Sequence, residues 1–68
     1  MNFDIGTIVV NDCLPYVITR TTPPGQIWHE YTVREAGSLI AVRCFGNDLQ
    51  AAYVFANKLK TEGERRDE

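Results

Sequence analysis

Between Ile27 and Phe45 the sequence IWHEYTVREAGSLIAVRCF holds two apolar-rich alternating runs on either side of Ala36-Gly37. Side chains two apart in a strand share a face, so this alternation specifies a half-buried β-hairpin. Glycine at position 37 tolerates the positive φ that a tight hairpin turn demands. In the first run Ile27, His29, Tyr31 and Val33 share one face, with Trp28, Glu30, Thr32 and Arg34 on the other. In the second, Ile40, Val42 and Cys44 oppose Leu39, Ala41, Arg43 and Phe45. The Ile27 and Ile40 sets are the expected core face, because the other sets carry Glu30, Arg34 and Arg43.

The flanking segments supply two more strands and a helix. Ile5 to Val10 (IGTIVV) and Tyr16 to Thr22 (YVITRTT) are β-branched and short, so they read as an antiparallel first hairpin. Asn11 and Asp12 are turn formers between them, and Pro15 marks an irregular start to the second strand. Thr22-Pro23-Pro24-Gly25-Gln26 is a loop, since neither proline can donate to a ladder. Gly46-Asn47 ends the second hairpin, with Asn47 the expected helix N-cap and Asp48 in the first turn. From Leu49 to Lys60 the period is helical: Leu49, Ala52, Tyr53, Phe55, Ala56 and Leu59 fall on one arc at about 100° per residue. Val54 is a misfit in that pattern. Ala52 and Ala56 let the helix approach a sheet closely. Lys58 and Lys60 suit a C-terminal turn, Gly63 reads as a stop, and 61–68 (TEGERRDE) reads as a flexible charged tail. The expected fold is α+β: an antiparallel β-sheet of about four strands with one C-terminal α-helix on a face, ββββα, in a single domain over 1–60. Closure into a small barrel is the alternative, because periodicity does not fix connectivity.

Several function classes lose ground on composition. A chain of 68 residues buries only roughly 60% of the surface its unfolded form exposes, and its net stability is about 3–5 kcal/mol. The formal net charge is −2 and lies entirely in the tail, where four acids meet two arginines; residues 1–60 balance five acids with five bases. A dedicated nucleic-acid binder carries a basic excess. No apolar run approaches the roughly 20 residues of a membrane span, and MNFDIGTIVV lacks the basic start of a secretory signal. A cytoplasmic setting is therefore expected, with Cys13 as a reduced turn thiol and Cys44 as a buried strand thiol. Cys13, Cys44 and His29 lack the spacing of a zinc site. A Cys44–His29 nucleophile–base pair would need an orienting group and an oxyanion hole, and the sequence points to neither. No catalytic residue, metal ligand or cofactor is assigned.

What remains is a surface. Trp28, Glu30 and Arg34, with Arg43, Arg20 and Tyr16 beside them, compose an expected outward face of aromatic and arginine side chains. Those types dominate interface hot spots, because a flat apolar body with a polar handle tolerates desolvation. The bland alternative is that Trp and Arg stack across strands to shield a thin sheet. IGTIVV…YVIT resembles the first two strands of small SH3-like barrels. The segment from His29 to Leu59 looks like the strand–turn–strand–helix layout of many short phage and mobile-element proteins. In size and make-up it is reminiscent of small anti-CRISPR proteins. That resemblance implies a stand-alone inhibitor, without catalytic residues, that occupies a surface of a CRISPR-Cas effector complex. The leading expectation is a non-enzymatic protein-binding module, an inhibitor or adaptor of phage or bacterial origin, acting as a monomer or homodimer. The alternative is a small nucleic-acid-binding module using the same aromatic and arginine sheet face.

Overall fold

A computed structural model describes residues 6–66. The β-branched and aromatic runs form four strands: β1 (Thr7–Cys13), β2 (Tyr16–Thr21), β3 (Glu30–Glu35) and β4 (Ala41–Cys44). They pair antiparallel in the order β1-β2-β3-β4, giving one open sheet in place of a barrel. Helix α1 (Leu49–Arg66) crosses one face. The ββββα expectation holds.

β2 and β3 form the regular centre, with Ile18 opposite Val33 and Thr19 opposite Thr32. The outer pairings are irregular. β1 holds extra residues between Ile8 and Val10 and between Val10 and Cys13, and β4 holds one between Arg43 and Ala41. The helix-side core consists of Cys13, Ile18, Val33, Ala52 and Ala56, with Val10, Tyr16, Tyr31, Phe45, Phe55 and Leu59 packed around it. Ala52 and Ala56 are fully buried, so the small side chains do bring α1 close to β2 and β3.

Five local expectations need correction. The turn between β1 and β2 is at Leu14-Pro15, a cis bond, and β1 runs through Asn11 and Asp12; Ile5 lies outside the described residues. The β3–β4 connection is five residues long, 36–40, closed by bonds from the Leu39 amide to the Glu35 carbonyl (2.6 Å) and from the Glu35 amide to the Ile40 carbonyl (3.0 Å). Its positive φ falls on Leu39 (59°), not on Gly37. The N-cap is Asp48, whose Oδ1 accepts the Ala51 amide at 3.0 Å, one residue later than Asn47. α1 continues through Gly63 to Arg66, so the expected tail is helical over 61–66. A mid-helix glycine costs about 1 kcal/mol relative to alanine, which an established helix absorbs. The cysteines exchange roles: Cys13 is buried and Cys44 exposed.

The expected core face is right for Tyr31 and Val33 and wrong elsewhere. Ile27 precedes the ladder and is 96% exposed, while Ile40, Val42 and Cys44 are also exposed. The pairing of Val33 with Arg43 turns Arg43 to the helix side, where its guanidinium lies over the Phe45 and Phe55 rings at 5.2 and 5.8 Å.

Gly6 has φ +97°, and a Cβ there would sit 2.6 Å from the Arg20 carbonyl oxygen and closer still to Thr21 Oγ1. The entry to β1 therefore requires glycine.

Candidate functional site

The loop between β2 and β3 is closed by its own backbone and side-chain bonds. Pro23-Pro24-Gly25-Gln26 is a β-turn closed by the Gln26 amide on the Pro23 carbonyl (3.1 Å). Proline at its second position and φ +78° at Gly25 are the signature of type II. Thr22 Oγ1 and His29 Nδ1 are 2.8 Å apart, tying the two ends of the loop together. The His29 ring meets Tyr31 edge-on at 6.5 Å, and Tyr31 is anchored against the core. Between these fixed points the chain presents Ile27, 96% exposed, and Trp28, 45% exposed. Two large apolar side chains thus stand in water on a loop whose backbone is already tied.

The six residues expected to share one face are divided among three places. Trp28 sits in this loop, outside any strand. Glu30 and Arg34 lie on the helix-free face, in the row with Val17, Thr19 and Thr32. Tyr16, Arg20 and Arg43 fall on the helix side: Tyr16 packs on the core, Arg20 pairs with Tyr31, and Arg43 stacks on Phe45 and Phe55. The outward Trp–Arg surface is therefore not one surface. Its parity argument failed because the ladder begins at Glu30 and because β4 carries an extra residue.

Arg34 is committed internally. Its Nε donates to Thr19 Oγ1 at 3.0 Å and its Nη1 to the Leu39 carbonyl at 3.2 Å. The guanidinium bridges β2 and the β3–β4 turn, and holds the carbonyl of the one non-glycine residue with positive φ among those described. A left-handed conformation costs a leucine about 1–2 kcal/mol, which this charged hydrogen bond offsets. The exposed residue that sequence reasoning missed is Ile27. Its signal was available: it follows Pro-Pro-Gly too closely for the ladder to have begun.

Away from the loop, beside the β1–β2 and β3–β4 turns, a surface hollow of about 330 Å³ is lined by Pro15, Tyr16, Glu35, Gly37 and Ser38; the Ser38 hydroxyl donates to Glu35 Oε1 at 3.2 Å. Neither thiol lines it. Burial first, then the adjacent Asp12 carboxylate, push the Cys13 thiol up from its ordinary value, and its Sγ lies 3.7 Å from Asp12 Oδ1. A protonated, enclosed thiol is a poor nucleophile. In the folded protein one equivalent of iodoacetamide should label Cys44, with Cys13 reacting only after denaturant is added; peptide mapping of the alkylated sites checks this. Among the described residues no three His, Cys, Asp or Glu side chains are placed to hold a metal ion. No described helix is long and apolar enough to cross a membrane. Compared with protein-family models, curated proteins and solved structures, the chain has no significant match.

Proposed function

We propose that the chain is a non-enzymatic protein-binding module whose contact site is the Ile27–Trp28 loop. The observation that carries this is the exposure of both side chains on a backbone closed by the type II turn and the Thr22–His29 bond. A preformed loop loses little conformational freedom on binding, so the apolar area of Ile27 and Trp28 converts efficiently into affinity. Trp is also the residue type most enriched at energetic hot spots. Glu30, adjacent in β3, supplies a charged rim.

The finer reading is an inhibitor of phage or mobile-element origin, of the anti-CRISPR type, that acts in the cytoplasm by covering a surface of an effector complex. It rests on the resemblance in size and layout. The nucleic-acid alternative needs arginines free to meet phosphates beside an aromatic platform. Arg34 and Arg43 are instead engaged within the domain.

The test is capture from a bacterial lysate with tagged wild type and Trp28→Ala, each with and without nuclease. The expected result is a protein that survives nuclease treatment and is lost in the variant, whose far-UV circular dichroism is unchanged. Undiminished capture by Trp28→Ala removes the loop as the contact site. Capture that depends on nucleic acid and falls steeply with salt installs the alternative. Inhibition of target cleavage by a purified effector complex tests the finer reading separately.

A further inference from the structure

Val54 fits neither side of the helical pattern, and it stands 59% exposed in the middle of α1. With Ala51, Phe55 and Lys58 it forms an i, i+3, i+4, i+7 stripe on the flank of the helix away from Tyr53 and Lys60, which reach Asp12 on β1. Together with Asp48 and Gln50 these residues line a shallow groove of about 440 Å³. Phe55 is half-buried, its ring 5.2 Å from that of Phe45. The groove is apolar in its middle and charged at its ends, negative at Asp48 and positive at Lys58.

We propose that this flank docks against the same flank of a second copy of the chain, the two helices running antiparallel about a two-fold axis at position 53. The charge pattern selects that occupant and that orientation. Asp48 and Lys58 are equidistant from position 53, each about 7.5 Å along the axis at 1.5 Å per residue, so each Asp48 meets Lys58 of the second copy. The same register sets Ala51 opposite Phe55, a small side chain against a large one, and brings the two Val54 side chains together near the axis. Parallel pairing would oppose like charges at both ends. Asp48 uses Oδ1 to cap its own helix and keeps Oδ2 for the contact. Lys58 has no ion pair or hydrogen bond among the described residues, unlike Lys60, which is held by the Asp12 carbonyl. An isologous contact of this kind closes at two copies. It spans about two helical turns, short of the roughly 1,200 Å² of a standard interface, so the dimer is weak and concentration-dependent. It is independent of the Ile27–Trp28 loop.

Sedimentation equilibrium of the intact chain from about 10 μM to about 1 mM tests it, a range suited to weak association. The weight-average mass should rise from one chain towards two. Val54→Glu and Lys58→Glu should each weaken dimerisation at least tenfold, and Asn57→Glu, beside the groove, should leave it intact. All three side chains are exposed, so the variants keep the wild-type circular dichroism. Trp28→Ala should still dimerise, separating this contact from the partner site. A Cys44→Ser, Val54→Cys variant should form an intermolecular disulfide under mild oxidation, which reads the register. A wild type that stays monomeric to 1 mM overturns the proposal. So does a dimer that survives both groove substitutions, and so does a dimer in which Val54→Cys fails to cross-link.

Discussion

Ile18→Ala should leave the protein only marginally folded at room temperature. Ile18 is completely buried, paired with Val10 on one side and Val33 on the other, beneath Ala52 and Ala56. Truncating a buried isoleucine to alanine costs about 2–5 kcal/mol, against about 3–5 kcal/mol for a domain of this size. Among the described residues no large aromatic is fully buried to compensate; the largest enclosed side chains are Ile18, Val33, Thr19 and Cys13. Helical circular dichroism should fall together with the sheet signal, because a helix within a protein draws most of its stability from the packing of its apolar face. Urea titration followed by circular dichroism measures the effect. A midpoint close to wild type would mean that the helix–sheet interface does not hold the fold together.

Arg34→Ala should cost about 2 kcal/mol, by a different route. The guanidinium reaches Thr19 Oγ1 and the Leu39 carbonyl from one planar fork; losing one hydrogen bond to a charged group costs about 1.5–3 kcal/mol, so the bond to buried Thr19 by itself accounts for that figure. Thr19 is buried, so its hydroxyl cannot simply turn to water; its other contact is the Thr32 carbonyl at 3.5 Å. Arg34→Lys should recover only part of the loss, because an ammonium cannot serve two acceptors in the directions of the guanidinium fork. Thr19→Val combined with Arg34→Ala should be less damaging than the sum of the two, since both remove one interaction. Urea midpoints of the four proteins settle the comparison. A change below about 0.5 kcal/mol, the level of an ordinary surface substitution, would return Arg34 to the surface as a free side chain.

The elements were legible because their signals are local. β-Branched runs, the Pro-Pro-Gly loop and the apolar arc of the helix each specify one element without reference to the rest. Tyr31 and Val33 were assigned correctly because β3 is regular where they sit. Ile27 was misplaced because alternation extends backwards through residues that no neighbouring strand pairs. β4 failed for a related reason: both of its faces are apolar, and the extra residue between Arg43 and Ala41 resets which of them is turned inward. The exchange of Cys13 and Cys44 follows from the same events. β1 extends past the expected turn and carries Cys13 under the helix, while Cys44 ends on an edge strand with no layer above it. The sequence ends that loop at Gln26, three residues early, which is why Ile27 reads as core and Trp28 as part of a strand face.

All three irregularities in the sheet place the surplus residue in an outer strand, never in β2 or β3. A straight outer strand is a template that any passing extended chain can copy, and each addition exposes a fresh template. Surplus residues spoil the spacing of that template by twisting it out of register with an incoming strand. A four-stranded sheet edged by β1 and β4 is thereby protected against growing into a ribbon by strand addition.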